Sequence, residues 1–168
     1  AAFIVQPLLG GAEVAAITVA FDVRIGGGTQ PPADGMSFNW ASDLPVTIPN
    51  VDLENGAGTG LTIGFDIFDN GGGEGPSIDI KWKGATLIQT KLTSAEIQTD
   101  VNGEPTFRKV IIKVTADGKV DVVYGDRIIY SGYQLPNYAP ITNGKFAFYA
   151  RTGGLNANQW VDNLQIQA

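Results

Sequence analysis

Residues 61–82, LTIGFDIFDNGGGEGPSIDIKW, contain the pattern that decides the fold. Apolar residues occupy every second position on both sides of the glycine-rich centre: Leu61, Ile63, Phe65 and Ile67, then Ile78, Ile80 and Trp82. Alternation with a period of two places one set of side chains on one face of a β-strand. The stretch therefore predicts two strands, each with one buried face, joined by a loop.

The same alternation recurs along the rest of the chain. Its apolar positions are Ile17, Val19, Phe21, Val23 and Ile25; Met36, Phe38 and Trp40; Val110, Ile112 and Val114; Val120, Val122 and Tyr124; Phe146 and Phe148; and Trp160, Leu164 and Ile166. Asp117-Gly118 and Gly125-Asp126 are typical of tight hairpins between such strands, and Asn143-Gly144 precedes the strand around Phe146. About ten or eleven short strands predict an all-β, two-sheet antiparallel jelly-roll sandwich.

Two finer expectations follow from this pattern. The large members of the apolar stripes are expected to be buried: Phe21, Phe38, Trp40, Phe65, Trp82, Phe146 and Trp160. A short helix is predicted over residues 93–100, with Ser94 as its cap.

Length and composition indicate one globular domain over residues 1–168. The chain has 168 residues, of which 43% are hydrophobic, enough for a single core. No apolar run reaches the roughly 18–20 residues that span a bilayer, so no membrane insertion is expected. Residues 1–9 lack the basic region and long apolar core of a signal peptide.

Charge and missing residue types exclude several functions. The net charge is −6, and 11 Lys and Arg among 17 Asp and Glu form no basic patch for nucleic acid. The absence of Cys and His excludes disulfides, thiolate chemistry, the usual Ser–His–Asp triad and His-based zinc sites. Carboxylate chemistry and oxygen-ligated cations such as Ca²⁺ remain.

Several segments resemble, in order, the motifs of legume-lectin-like (concanavalin A-like) domains. They are Ala33–Phe38, Gly64–Asn70, Ser77–Ile80, Gly144–Gly154 and Gln159–Asn163, the last being similar to bacterial surface-protein members. The match covers residues 15–167. The resemblance implies a flat back sheet stacked on a curved front sheet, with a sugar site in loops at one end of the front sheet. Because one fold hosts many functions, the motifs are more specific for fold than for activity.

The resemblance also implies a carbohydrate site. Asp34 matches the sugar-binding aspartate that follows a cis peptide, and Gly58, within the glycine-rich segment 56–60, matches a backbone N–H donor. The remaining positions carried over are Phe68, Asn70, Leu155 and Asn156. These residues are expected to converge at one rim. The alternative is that Asp34-Gly35 and the glycines are turns, and that Phe68 is a core aromatic.

The metal loop departs from the family pattern. Gly64 stands where the family has a glutamate, and the chain has no histidine, so no transition metal is expected. A calcium site is implied at Asp66, the Phe68 carbonyl, Asn70 and Glu74 or Asp69, although this set is short of the six to eight oxygens that calcium prefers. The alternative is that Asp66 and Asn70 organise the loop through Asx-type hydrogen bonds.

Three functions remain open. The first is a non-catalytic, lectin-like module that binds a glycan or polysaccharide on a secreted or cell-surface protein. The second is a structural or protein-interaction sandwich without a sugar site. The third, a glucanase, is disfavoured because retaining enzymes of this fold carry E-x-D-x-x-E, which Gly64 interrupts.

Two further expectations bear on these alternatives. Exposure of Phe68 and of residues 133–138 beside Asp34 would favour binding, whereas packing under loops would favour the structural function. The chain begins close to the segment that matches Phe3–Leu8, so the family's N-terminal strands are expected to be missing. The closing strand Trp160–Gln167 would then have an open edge for a neighbouring domain or protomer.

Overall fold

The computed structural model describes residues 2–5, 11–45, 47, 52–100 and 104–168, with residues 2–5 as backbone only. The strands in these residues are β1 Ala2–Val5, β2 Glu13–Val14, β3 Ile17–Gly26, β4 Gly35–Ala41, β5 Leu61–Asp66, β6 Ser77–Trp82, β7 Ala85–Lys91, β8 Arg108–Val114, β9 Lys119–Tyr124, β10 Arg127–Gln134, β11 Ile141–Thr142, β12 Lys145–Arg151 and β13 Asn158–Gln167. A 3₁₀ turn spans Leu53–Asn55, and helix α1 spans Ser94–Ile97. Among the described residues, no helix has the length and hydrophobicity needed to cross a membrane.

Two large antiparallel sheets form the molecule. The front sheet has the order β1-β12-β4-β5-β6-β7, and the back sheet has the order β10-β9-β8-β3-β13. A small third sheet pairs β11 with β2. The predicted two-sheet antiparallel jelly-roll sandwich is confirmed, because sequence-distant strands such as β4 and β12 lie side by side.

Aromatic side chains fill the space between the sheets. Phe21 of the back sheet contacts Phe65 and Phe148 of the front sheet edge-on, with ring centroids 6.3 and 5.0 Å apart. Six of the seven large residues expected in the core are buried: Phe21, Phe38, Trp40, Phe65, Trp82 and Phe146. Each such side chain contributes on the order of 1.5–3 kcal/mol to folding.

The prediction that Trp160 is buried is wrong, because its side chain is 52% exposed. Between the pairs Asp162–Asp22 and Gln165–Ala20, two residues of β13, Asn163 and Leu164, lie opposite one residue of β3, and Asn163 in this bulge has φ 51°. The extra residue reverses which positions face inward. The inward residues are Val161 before the bulge and Leu164 and Ile166 after it. Trp160 therefore faces outward, where Arg24 stacks on its ring at 4.3 Å.

The predicted turns are confirmed, and the helix is shorter than predicted. Gly125-Asp126 joins paired residues Tyr124 and Arg127, and Gly118, with φ 82°, closes the hairpin before β9. Helix α1 ends at Ile97 rather than at residue 100, and Thr93, not Ser94, is its N-cap. The Glu96 carboxylate accepts the Thr93 N–H at 2.7 Å, as in a capping box.

Strand register brings one end of several front-sheet strands together. Gly35 of β4 pairs with Asp66 of β5 and with Arg151 of β12, and Asp66 also pairs with Ser77 of β6. We call this end of the front sheet the Asp34 rim, because Asp34 immediately precedes β4. At the other edge of the molecule, β13 pairs only with β3 among the described residues.

Candidate functional site

Asp34, the predicted sugar-binding carboxylate, lies in a constrained stretch of backbone. The Ala33–Asp34 peptide bond is cis, as the resemblance implies. The Asp34 N–H donates to the Arg151 carbonyl at 3.3 Å, and the Asp34 carbonyl accepts the Ile67 N–H at 3.0 Å. Contacts from β12 and from the loop after β5 therefore fix the position of this residue.

The Asp34 carboxylate is buried but incompletely bonded. Asp34 is 5% exposed, and its Oδ2 has no hydrogen-bond partner among the described residues. The nearest cation is Arg151, whose Nε lies 3.9 Å from this oxygen. Gly153 lies over it, since a Cβ on that residue would sit 3.5 Å from Oδ2. A buried acceptor without a donor is unfavourable, so a hydroxyl that reached it would gain a strong hydrogen bond.

Arg151 organises the rim, a role that its sequence motif did not reveal. Its Nη1 binds Glu54 Oε1 at 2.7 Å and Asp52 Oδ1 at 3.0 Å. The hydrogen bond to Glu54 raises the pKa of Arg151. These contacts hold the 3₁₀ turn Leu53–Asn55 against β12 and β4. An arginine at the end of the apolar run Phe146–Ala150 was the available signal, but its partners lie about a hundred residues away.

The loop after β12 reaches the same rim. The Gly153 N–H donates to the Leu155 carbonyl at 3.0 Å, which closes the loop beside Asp34. The Asn156 carbonyl accepts the Thr29 N–H at 3.1 Å and the Thr29 hydroxyl at 3.0 Å. The structure thus brings the predicted Leu155-Asn156 pair to the rim, tied on its far side to Thr29.

Carboxylates organise the predicted metal loop. Asp66 Oδ1 accepts the Phe68 N–H at 2.9 Å, and Glu74 Oε1 accepts the Asn70 N–H at 3.0 Å. Asp69 Oδ1 accepts the N–H groups of Gly71 and Gly73 at 2.8 and 3.1 Å. The bond to Asp66 matches the structural alternative for the loop, whereas the others are accepted by Asp69 and Glu74 and not by the Asn70 side chain.

The electrostatics of Asp66 suit a cation. Burial raises its pKa to about 6, against the opposing hydrogen bond from Phe68, and the negative charges of Glu74, Asp79 and Glu54 raise it further. A divalent cation would relieve this repulsion, and carboxylate and carbonyl oxygens are the ligands that calcium prefers. In the part of the chain that the structure describes, no three acidic side chains are already grouped closely enough to hold a metal. The donor set fits calcium in kind, and the loop would have to close around the ion.

Gly58 is the predicted site residue that the structure does not bring to the rim. A Cβ on Gly58 would contact Asp43, Ala41 and Leu44, at the opposite end of β4 from Asp34. The neighbouring Thr59 N–H donates to Asp43 Oδ1 at 2.8 Å and holds the loop there. Gly35 and Ala41, at the two ends of β4, are six positions apart in the strand, which corresponds to about 20 Å.

Of the aromatic residues considered for sugar stacking, Phe68 lies at the Asp34 rim and Tyr138 does not. Phe68 is half-buried at the rim, in the loop that follows Asp66. Tyr138 lies elsewhere: it packs against Trp82 with ring centroids 5.6 Å apart, and its hydroxyl donates to the Ala15 carbonyl at 2.7 Å. Trp82 is at the end of β6 far from the rim. Within residues 133–138, Leu135 is buried, Tyr133 and Tyr138 are half-buried, and the other three residues are exposed. Because Tyr138 lies away from Asp34, this loop and Phe68 do not meet at one rim, as the binding function would have favoured.

Comparisons with known proteins identify the fold. No family model matches the sequence, and a sequence search of the curated proteins finds no match. The VIP36 exoplasmic/lumenal domain, in its Ca²⁺/Man3GlcNAc-bound form, superimposes with a TM-score of 0.66 at 17% identity, covering 93% of this chain and 71% of that one. The lectin from Bauhinia forficata in complex with GalNAc gives 0.65 at 16% identity, covering 90% and 72%. Peanut lectin gives 0.63 at 18% identity, covering 99% and 78%.

The chain therefore has the legume-lectin-like, concanavalin A-like fold, as its motifs imply. Identities below 20% leave the fold as the shared property. The compared structures give no support to a particular likeness to bacterial members.

Proposed function

We propose that this protein is a non-catalytic carbohydrate-binding domain whose site is the Asp34 rim. The observation that carries the proposal is the buried Oδ2 of Asp34, which has no hydrogen-bond partner among the described residues and lies under Gly153. Sugar hydroxyls are donors that a carboxylate accepts strongly, and adjacent hydroxyls can use both of its oxygens. The loop at Leu155-Asn156 and the side chains of Phe68 and Asn70 would complete the site.

The ligand class follows from charge and from the structural neighbours. The net charge of −6 disfavours sulfated or uronic glycans, so a neutral sugar or simple sugar chain is proposed. The structurally similar domains are described in complex with Man3GlcNAc and GalNAc, which are neutral sugars. A shallow site of this kind binds in the millimolar to micromolar range, roughly −4 to −8 kcal/mol.

Calcium is the proposed cofactor. Asp66, the Phe68 carbonyl, Asn70 and Glu74 or Asp69 would hold it, with water completing the coordination. The ion would neutralise the acidic charge around Asp66 and fix the loop that carries Phe68 and Asn70. The VIP36 domain is described in a Ca²⁺-bound form, which supports this choice.

We propose no catalytic role for this protein. We propose that it is located outside the cytosol. Gly64 replaces the carboxylate that retaining glucanases of this fold place on the same strand, so the required pair about 5–5.5 Å apart lacks one member. The VIP36 domain is exoplasmic or lumenal, which supports a secreted or cell-surface location for this chain.

The alternative is a structural or protein-interaction domain without a sugar site. It is favoured by the packing of Tyr138 against Trp82, which holds this tyrosine away from the Asp34 rim. Under this alternative, the free edge of β13 would contact a neighbouring domain or protomer.

A titration experiment separates the two functions. Mannose, Man3GlcNAc and GalNAc are titrated calorimetrically into the protein, first with calcium and then with a chelator. The proposal expects saturable binding of at least one sugar, weaker without calcium. An Asp34→Asn variant is expected to bind more weakly, and an Asp126→Asn variant, changed in the exposed β9–β10 hairpin, controls for the loss of one negative charge. Absence of binding to all three sugars would favour the structural function.

A further inference from the structure

A recess lies on the outer face of the front sheet, away from the Asp34 rim. It has a volume of about 210 Å³ and lies between the glycine-rich loop of residues 56–60 and the β6–β7 hairpin. Its floor contains Thr62, Lys81 and Thr86, which are paired side by side on β5, β6 and β7. Its volume lies below the usual range of about 300–1,000 Å³ for drug-sized ligands, which suits a single sugar ring.

The wall of the recess is formed by residues that expose backbone. Gly56 and Gly58 have φ 84° and 82°, a conformation that favours glycine. Asn39 Oδ1 accepts the Ala57 N–H at 3.0 Å, and Asp43 accepts the Thr59 N–H, so both ends of the loop are anchored to β4 and its following turn. The recess is therefore held open by hydrogen bonds rather than by bulky side chains.

The polar groups that face the recess suit a neutral hydroxylated ligand. Lys81 Nζ donates to the Asn55 carbonyl at 3.1 Å and to Asn55 Oδ1 at 2.7 Å, which leaves one of its three protons for a ligand. The Thr62 hydroxyl donates to Asn39 Oδ1 at 2.8 Å and can still accept a hydrogen bond. Asp79, Asp66, Glu54 and Glu74 surround Lys81, so a second anion would be repelled.

The 3₁₀ turn connects this recess to the Asp34 rim. Asn55 at one end of the turn binds Lys81, whereas Asp52 and Glu54 at the other end bind Arg151 beside Asp34. Thr62 and Asp66 are four residues apart on β5, which corresponds to about 13 Å along the strand. One sugar ring cannot cover this distance, but a short oligosaccharide can.

We propose that the recess is a second saccharide subsite and that the ligand of this domain is a neutral oligosaccharide with one ring at the Asp34 rim and another between residues 56–60 and Thr86. The inference rests on the proposed function, because the first ring occupies the Asp34 site. The glycine-rich loop then contributes to sugar binding at a place separate from Asp34.

The proposal predicts an affinity that rises with ligand length. Calorimetry with mannose, Man2 and Man3GlcNAc, in calcium, is expected to give about tenfold tighter binding of Man3GlcNAc than of mannose in the wild type, since one additional hydrogen-bonded ring contributes about 1.4 kcal/mol. The Thr86→Trp variant fills the recess from an exposed position and is expected to reduce this ratio to about twofold without changing mannose affinity. Lys81→Met is expected to lower Man3GlcNAc affinity as well.

Two controls distinguish failure of the second subsite from failure of the proposed function. Lys83→Met removes a lysine from the same hairpin but outside the recess, and it is expected to retain the wild-type ratio. Backbone amide shifts of Gly56, Gly58 and Gly60 are expected with Man3GlcNAc and not with mannose at the same rim occupancy. An unchanged ratio in Thr86→Trp overturns the second subsite while the Asp34 site stands. Absence of binding of every probe, with GalNAc included, or an Asp34→Asn variant with wild-type mannose affinity, overturns the proposed function and the subsite with it.

Discussion

Arg151 reaches towards Asp34 without bonding to it: the Arg151 Nε lies 3.9 Å from Asp34 Oδ2, whereas Nη1 of the same guanidinium bonds to Glu54 at 2.7 Å. The positive charge therefore lies beside the Asp34 carboxylate and leaves Oδ2 able to accept a hydrogen bond from a ligand. Glu54 is buried and forms an ion pair with Arg151. The same arginine therefore holds the 3₁₀ turn in place and sets the position of the guanidinium beside Asp34.

The Asp34→Asn variant is expected to weaken sugar binding about tenfold or more. The change removes the charge of an acceptor whose hydrogen bonds contribute about 1.5–3 kcal/mol each, and it retains the shape of a buried side chain. Calorimetric titration measures the affinity, and a thermal melt within a few degrees of the wild type shows that the fold is kept. Equal affinities of variant and wild type would place the binding site elsewhere.

The Arg151→Met variant is expected to lower the free energy of unfolding by about 1–3 kcal/mol, because it leaves the Glu54 carboxylate buried without its cation. Urea denaturation followed by circular dichroism measures the loss. The double variant Arg151→Met with Glu54→Gln is the matched test, since it removes both charges and is expected to recover part of the stability. No recovery in the double variant would show that Arg151 acts through packing of its stem alone.

Acid is expected to weaken the Arg24–Asp100 ion pair. Arg24 Nη2 lies 2.6 Å from Asp100 Oδ2, the Asp100 side chain is 4% exposed, and the hydrogen bond from Arg24 lowers the pKa of Asp100. A carboxyl whose pKa is lower in the folded state stabilises the protein above its unfolded pKa of about 3.9. This stabilisation is lost as the pH falls through the lower folded pKa.

Unfolding measurements from pH 7 to pH 2 test this pair. The difference in unfolding free energy between wild type and Asp100→Asn is expected to be constant above about pH 5 and to shrink below pH 4. A difference that stays constant down to pH 2 would mean that Asp100 has the same pKa in both states. Asp126→Asn, in the exposed hairpin, serves as the control of equal charge.

Tryptophan fluorescence is expected to show one accessible residue. Trp160 is 52% exposed, whereas Trp40 and Trp82 are 0% and 4% exposed. Acrylamide should therefore quench only part of the emission, and Trp160→Phe should remove that part. Phe keeps a ring on which Arg24 can stack, so the same variant is expected to retain most of its stability. A Trp160→Phe protein that is still strongly quenched would contradict the outward orientation set by the bulge in β13.

Trp160 also shows which features the sequence could predict. Period-two alternation placed Phe21, Phe65 and Phe148 correctly, because a regular strand turns every second side chain to the same face. It misplaced Trp160, because the bulge before Gln165 is produced by Asn163 in a left-handed conformation, which leaves no pattern in apolar positions.

The site residues divide in the same way. Asp34 could be predicted because the segment 33–38 is a local motif with a fixed backbone geometry. Gly58 could not, because its position depends on the path of the loop before β5, which is set by contacts such as Thr59 with Asp43. The role of Arg151 could not be predicted, because its partners Asp52 and Glu54 lie in and beside a turn that no periodicity predicts.

Calcium is expected to stabilise the wild-type protein and not the Asp66→Asn variant. An ion that binds only the folded state raises the unfolding free energy by RT ln(1 + [L]/Kd), about 2.7 kcal/mol at a hundredfold excess over Kd.

Without calcium, Asp66→Asn is expected to raise the unfolding free energy instead of lowering it. Burial and neighbouring acids raise the pKa of Asp66 to about 6, so its ionisation in the folded state costs stability as the pH rises from about 4 to 6. Asp66→Asn is therefore expected to melt at a higher temperature than wild type at pH 7 in a chelator, and at a lower temperature in millimolar calcium. Differential scanning calorimetry of both proteins, with and without calcium, measures this crossover, and Asp126→Asn serves as the control of equal charge. Calcium stabilisation of equal size in wild type and Asp66→Asn would place any bound ion outside the loop of residues 66–74.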